Sequence, residues 1–511
     1  MQRRGLPLAY VLTAGNQAQL RLSDLAARLV EDKRVTAIGL HIEGIGDLAA
    51  FEAMAEVAHR AGVPIVALKI GRSEAAQTAA ISHTASLAGS AAGASALLRR
   101  LGIAEVTSVE ALLETLKLLH QSGPLRSRRV ASLSCSGGEA GLMADTLVAK
   151  GLETPALGAG QKEALGAVLG PKVALANPLD FHTYIWNNPP AIAATFTAMM
   201  QGEADLGLVV SDFPRGDRCF QGDWEPVIDG TRAAKEATGA PMAILSVLPE
   251  NLPEDICVRL MEQGITPLCG VEAGLDAVAA AAELGVARRA QDALWPPGAA
   301  RRSGVLSEAA GKAALSAYGV AVPRSQVLAR AALGTAELPL PCVLKAQGLA
   351  HKTEAGGVAL NLKTRAEVLD AAANMPGESF LVEEMITGAV AELLIGVIRD
   401  PAHGFLLTLG AGGTLTELMQ DSAHLLLPTG AADIRTALMS LRIAPLLQGY
   451  RGAPAADLGA VVDAVLALQD YVGAHRDRLE EVEINPLIVT PDRAVAADVL
   501  ISIAKEDPPH E

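Results

Sequence analysis

Short apolar runs separated by longer amphipathic stretches recur from Leu6 to about Arg289, and this alternation restricts the chain to βα units around parallel sheets. Val35-Thr-Ala-Ile-Gly-Leu-His-Ile42 and Val63-Pro-Ile-Val-Ala-Leu-Lys-Ile70 read as strands, with a helix from Leu48 to Ala61 between them. A second set begins near Arg128: strand Arg129–Ser134, helix Glu139–Lys150, strands Leu206–Ser211 and Ala243–Val247, and a last long helix, Gly274–Arg288. Two sheet domains therefore meet near Gly123, over residues 1–124 and 125–288. Residues 289–304, with Trp295-Pro-Pro-Gly298 and paired arginines, read as a linker. Beyond it come a helix, Leu306–Tyr318, a strand, Cys342–Lys345, a Gly-containing loop, and the antiparallel-type strands Phe380–Glu384, Ala391–Gly396 and Phe405–Leu409. These describe a third, α+β domain over 305–507.

Composition excludes several function classes. With 42 Lys+Arg against 57 Asp+Glu the formal net charge is −15, which disfavours a nucleic-acid binder, because phosphate neutralisation needs a basic surface. Only 3% of residues are aromatic while 50% are hydrophobic, which suits helices packed on sheets better than an aromatic-rich β-sandwich. Two uncharged stretches, Ala75–Leu98 and Phe181–Gly202, are too polar or too broken by Asn187, Asn188, Pro189 and Pro190 to span a bilayer. Five scattered cysteines with no CxxC spacing fit neither a zinc cage nor a disulfide framework, and suit a reducing cytoplasm. Met1-Gln-Arg-Arg followed by Leu6–Ala14 imitates a signal peptide, but its short apolar part reads equally as a buried strand.

Three constellations can carry chemistry. In Ser82-His83-Thr84-Ala85-Ser86-Leu87-Ala88-Gly89-Ser90 small residues surround one imidazole, which can approach a phosphate and carry a phosphoryl group; read alone, His83 describes a surface histidine as well. Glu43, at the carboxyl end of the first strand, can orient that ring or serve as a solvated loop residue. Strand Arg129–Ser134 leads into Cys135-Ser136-Gly137-Gly138-Glu139, a Gly-rich turn at a helix N-terminus that can bind phosphate through free backbone N–H groups, with Asn177-Pro-Leu-Asp180 lining the same cleft; a plain βα turn is the alternative. The last domain is the most specific. Lys345 precedes a Gly loop containing His351, Gly356 and Gly357; Glu383, Glu384 and Glu392 follow as acceptors for a nucleotide. Glu483, Asn485 and Asp498 supply hard oxygen ligands suited to Mg²⁺ beside a triphosphate. His182, Tyr184 and Trp186 can line an acyl pocket, although core packing is the plainer reading.

On these residues the chain resembles the NDP-forming acyl-CoA synthetases, the superfamily of ADP-forming acetate–CoA ligase and succinyl-CoA synthetase. The resemblance implies an α/β chain of two flavodoxin-like parallel-sheet domains followed by an ATP-grasp domain. It implies that His83 is phosphorylated on a moving loop, that Glu43 holds it at the acyl-phosphate site, and that Ser136, Gly137, Gly138, Asn177 and Asp180 bind phosphate. In the last domain it implies Lys345, Gly356, Gly357, Glu383, Glu384 and Glu392 at the nucleotide, Asn485 and Asp498 on magnesium, Glu483 receiving the phosphohistidine, and His351 as a second relay. Ala85 stands where the family pattern has Gly, and the family's usual Rossmann-like CoA-binding domain is not found ahead of Arg4-Gly5-Leu6. The implied reaction is carboxylic acid + CoA + ATP to acyl-CoA + ADP + phosphate, by an oligomer with ATP and CoA as substrates and Mg²⁺ as cofactor; the CoA-binding part is expected either from a domain or subunit in trans or from sequence upstream of Met1. A carboxylate–amine ligase of ATP-grasp type, and a non-catalytic partner subunit, are the competing expectations.

Overall fold

The two βα sets form two parallel sheets. In the first, β1 (Ile38–Ile42), β2 (Ile65–Lys69) and β3 (Ala104–Val106) lie in the order β1-β2-β3. In the second, β4 (Val130–Ser134), β5 (Leu179–Asp180), β6 (Leu206–Val210), β7 (Met242–Ser246) and β8 (Thr266–Cys269) take the order β5-β4-β6-β7-β8. That order puts a topological switch at β4, where the connections leave toward opposite sides and a crevice opens at the carboxyl ends. Every residue of β2, β4, β6 and β7 is buried, because helices cover both faces of a parallel sheet. The computed structural model describes residues 1–17, 19–72, 90–286, 292–298, 303–348, 356–413, 419 and 421–504.

Contacts divide the chain into two compact units. One holds most of residues 1–289; the other holds residues 290–511 together with described residues 90–97. In the first unit the helices Val109–Ser122 and Val271–Val286 pack against each other and join both sheets into one core that includes Val66, Val106, Leu118, Val130, Leu208 and Leu275. Close approach here needs Gly285, where a Cβ would fall 1.6 Å from the carbonyl oxygen of Leu125. The interior also holds a charge network: Glu114 and Lys117, both fully buried, pair at 2.7 Å, Arg4 reaches Glu114 at 2.9 Å, and Glu114 accepts the Cys269 N–H at 2.9 Å. All five cysteines are free thiols.

Leu6–Ala14 does not form the buried strand that its apolarity allows. Leu8, Tyr10, Val11 and Leu12 are exposed, and a cavity of about 940 Å³ is lined by this segment and by Val35–Gly44. An apolar run becomes a strand only when a neighbour completes its hydrogen-bond ladder, and β1 pairs with β2 alone among the described residues.

The second unit contains two antiparallel sheets. One has the order β10-β13-β11-β12, from β10 (Ser325–Ala329), β11 (Cys342–Ala346), β12 (Val358–Leu362) and β13 (Ser379–Glu384). The other runs β16-β15-β14-β17-β19-β9, from β9 (Ser303–Val305), β14 (Ala391–Asp400), β15 (Gly404–Ala411), β16 (Ser422–Leu426), β17 (Leu479–Val489) and β19 (Val499–Ala504), with β18 (Ala494–Ala496) beside β17. β9 starts inside the stretch that reads as linker, because Ser303 and Gly304 pair with Ala504 and Ile503. The long helix Leu458–His475 covers the larger sheet through Val461, Val465, Leu468 and Val472. No helix among the described residues is long and apolar enough to cross a membrane.

Candidate functional site

In the second unit the structure gathers residues that lie far apart in sequence. Lys345, on β11, and Lys312, on the helix Glu308–Ser316, form a buried ring with Glu308 and Glu383. The Lys345 Nζ lies 2.6 Å from Glu308 and 3.1 Å from Glu383, and the Lys312 Nζ lies 2.8 Å from Glu308 and 2.5 Å from Glu383. Both ammonium groups also donate to the carbonyl of Ala497, at 2.6 and 2.7 Å. Burial opposes ionisation of Glu308, but the two lysines hold its carboxyl down at about 2. Burial likewise opposes the charge on Lys345, which Glu308, Glu383 and Asp498 nevertheless hold above its ordinary value. Lys312 is lowered by burial and by Lys345. Glu308 and Lys312 escape a reading of the sequence, in which an i,i+4 Glu/Lys pair signals a solvated helix face. Gly311 brings that face inward, with Val499 Cγ1 3.1 Å from where its Cβ would stand.

The ring corrects one expectation. Glu383 is 2% exposed and gives one oxygen to each lysine, so it is part of the interior charge network and not an open acceptor for a nucleotide. Glu384 points elsewhere: Arg324 donates to it at 2.8 Å, and despite partial burial this pairing lowers its carboxyl. Glu392 is exposed, with Oε2 against Gly413. The Gly413 N–H donates to Asn485 Oδ1 at 3.1 Å, and the Asn485 N–H to the Asp498 carbonyl at 3.2 Å. Glu483 is raised by burial and by Glu481 and Asp498, against a hydrogen bond from Asn485. Two mutually repelling carboxylates and an amide oxygen fit a magnesium ion, which takes one or two protein carboxylates and completes its shell with water and phosphate oxygens. Gly357 lies at the foot of β12, its carbonyl accepting the Ala346 N–H at 2.8 Å, and Gly356 adopts φ +66°, open to glycine at no steric cost. His351 lies outside the described residues.

The second constellation sits at the switch point of the five-stranded sheet. Ser136 precedes the helix Gly137–Ala149, and Gly137 faces Asp180, whose Oδ2 is 3.2 Å from where a Cβ would stand. Burial, Asp212 and Asp180 push the Glu139 carboxyl up to about 7, and its Oε2 has no hydrogen-bond partner among the described residues. Asp212, unmarked in the sequence, follows β6 and accepts from the Val247 N–H and from Asn251, both at 2.8 Å. Asn177 does not line this cleft. Its amide donates to the carbonyls of Val130 and Pro155 and accepts the Ser132 N–H, so both donors that a phosphate would need are spent bracing β4. Asp180 accepts the His182 N–H at 2.9 Å, holding His182 at φ +56°. Tyr184 stacks on His182 at 5.1 Å and is 66% exposed, so it is not the core residue that its aromaticity allows; Trp186 is partly buried and packs on Trp224.

In the three-stranded sheet Glu43 is exposed at the carboxyl end of β1. The buried Lys69, which the sequence reading passed over, donates to the Glu43 carbonyl at 2.8 Å and to the Ile70 carbonyl at 2.5 Å. His83 lies outside the described residues.

Comparison with known proteins bears on the whole chain. Residues 1–119 match the succinyl-CoA ligase-like flavodoxin domain, and residues 298–503 match the ATP-grasp domain. A trans-feruloyl-CoA synthase from an unknown prokaryotic organism is 31% identical over 98% of this chain and 74% of its own length. ADP-forming acetate–CoA ligases of Methanocaldococcus jannaschii and Archaeoglobus fulgidus are 25% and 27% identical, over 94% and 99% of this chain and 72% and 75% of theirs. Two parallel sheets, an ATP-grasp domain with its lysine and oxygen donors brought together, and relatives of one activity class matched along 94–99% of this chain agree: the chain belongs to the NDP-forming acyl-CoA synthetases, acid–thiol ligases of the acetate–CoA ligase (ADP-forming) type.

Proposed function

We propose that the chain makes an acyl-CoA from a carboxylic acid, CoA and ATP through a phosphohistidine at His83. An imidazole nitrogen attacks the γ-phosphorus and ADP leaves; the substrate carboxylate takes the phosphoryl group from the histidine and becomes an acyl phosphate; the CoA thiolate attacks the acyl carbon and inorganic phosphate departs. The observation that carries this reading is the convergence of Lys345, Glu483, Asn485 and Asp498 at one place in the ATP-grasp domain.

Lys345 draws the phosphates, after exchanging one of its carboxylate partners for them. Glu392, together with Glu384 once it is released from Arg324, accepts from the nucleoside, and Glu483 receives the imidazolium side of the transferring histidine. Magnesium, held by Asn485 and Asp498, supplies charge neutralisation of the phosphates when bound. His351 acts as a second carrier within the Gly loop, and Glu43 orients His83 at the acyl end. Ser136, Gly137 and Gly138 offer the phosphate free N–H groups, and the exposed Tyr184–His182 pair offers a flat surface to the acyl group, which favours an acid bearing a ring over acetate.

Incubation with γ-labelled ATP and Mg²⁺ is expected to leave an acid-labile, base-stable phosphoryl group on the protein, and His83→Asn to abolish it. An unlabelled wild type, or label that persists in His83→Asn with His351→Asn, overturns the relay.

A further inference from the structure

The His83 segment ends, at Ser90, on a residue bound into the ATP-grasp unit. Ser90 caps the helix Ala91–Arg100: its hydroxyl accepts the Gly93 N–H at 2.9 Å and its carbonyl the Ala94 N–H at 3.0 Å. Its own N–H donates at 2.8 Å to Oδ2 of Asp400, 310 residues away in sequence. Asp400 closes β14, and its other oxygen accepts the N–H groups of Ala402 and His403 at 2.9 and 3.0 Å and meets His403 Nδ1 at 3.0 Å.

Both side chains are interior, Asp400 at 2% exposure and His403 at 0%. Burial opposes ionisation of Asp400, yet the hydrogen bonds and charge of His403 and the bonds from Ser90 hold its carboxyl well below the usual carboxylate range. The carboxylate also stands at the positive end of the helix dipole. Gly93 completes the fit: a Cβ there would lie 2.7 Å from His403 Nδ1 and 3.0 Å from Asp400 Oδ2, so a larger residue would lift the helix off the pair. A β-turn needs only one oxygen of its aspartate for its own N–H groups. The second oxygen of Asp400 serves Ser90.

We propose that Asp400, with His403 behind it and Gly93 in front, is a positioning residue that roots the downstream end of the His83 segment on the ATP-grasp domain and so holds His83 within reach of the nucleotide. This rests on His83 being the phosphoryl carrier. Six residues lie between His83 and Ser90, seven Cα steps, and at roughly 3.3–3.6 Å per step a chain of that length reaches at most about 25 Å from a fixed Ser90. Confinement of that kind raises the effective concentration of one reactant at the other without any new contact to the reacting atoms.

Single-turnover labelling of His83 from γ-labelled ATP and Mg²⁺ tests this, in wild type, Asp400→Ala and Gly93→Ala, alongside ADP affinity and hydrogen exchange of the Ser90 amide. Gly93→Ala is the cleaner variant, since alanine favours the helix while blocking the contact. Both variants are expected to label about tenfold or more slowly, with ADP affinity within about twofold of wild type and with faster Ser90 exchange. Labelling at the wild-type rate while Ser90 exchange is accelerated overturns the anchor alone. A loss of ADP affinity parallel to the loss of rate overturns it too, by showing a general structural role. An unlabelled wild type overturns the relay and with it any role of the anchor in it.

Discussion

Each unit carries a cluster of ionisable side chains near a glycine-rich turn, and the two clusters follow opposite electrical plans. In the ATP-grasp domain Glu308 and Glu383 alternate with Lys312 and Lys345, so every buried charge faces one of opposite sign. At the switch point of the five-stranded sheet Glu139, Asp180 and Asp212 are all acids, and burial together with Asp212 and Asp180 makes Glu139 hold its proton to about 7. Alternating charges keep their ionisation fixed over a wide pH range, whereas burial among like charges makes one member titrate near neutrality. The first plan suits a site that must always attract a polyphosphate. The second suits one that gains and loses charge as its ligand changes.

The contrast is broken most severely by Glu308→Ala, which leaves two buried ammonium groups short of a partner. It is expected to destabilise the ATP-grasp domain by about 3–5 kcal/mol and to abolish nucleotide binding, read from the urea midpoint and by calorimetric ADP titration. An unchanged midpoint would mean that the ring contributes nothing.

Glu139→Gln tests the other plan. The folded carboxyl is raised from 4.5 to about 7, so the folded state holds a proton that the unfolded state has released. Stability from this group is therefore complete below about 4.5 and is lost as pH rises through about 7. With allowance for solvent screening of a half-exposed group the loss is about 1–2 kcal/mol, and Glu139→Gln should flatten that part of the profile while leaving the acidic side unchanged. A wild-type profile already flat between pH 5 and 8 would contradict it. The smallest effect is expected of Tyr184→Ala: a loss of about 2–10-fold in apparent affinity for ring-bearing acids, with acetate unaffected, measured by competition at the acyl step. Equal losses for both acids would remove Tyr184 from the acyl site.

Much of this was legible in the chain. Helix Leu48–Arg60 begins at the residue its amphipathic pattern predicts and ends one residue short of it, and β4, β6 and β7 fall within a residue or two of their apolar runs. Lys345, Asn485 and Asp498 stood out in the sequence because polar residues at strand ends inside apolar surroundings are costly unless they find partners. Glu308, Lys312, Lys69 and Asp212 were not visible, since nothing local separates a buried charged residue from a solvated one. Asn177 looked like a ligand because an amide at a strand end suits both a phosphate and a backbone brace. Its three bonds to β4 and Pro155 show which role it has here.

By itself, then, the sequence determined the order of the domains, the parallel and antiparallel character of their sheets and the residue types available for phosphate chemistry. These follow from hydrophobic period, turn residues and short motifs, all local properties. Tertiary structure alone decided that Leu6–Ala14 stays out of the sheet, that Glu383 is an interior counter-charge, and that Asp400 reaches Ser90 across 310 residues. Each of these depends on what stands opposite a group in space. Hydrogen-bond completion and the cost of an unpaired buried charge are settled only when distant segments meet.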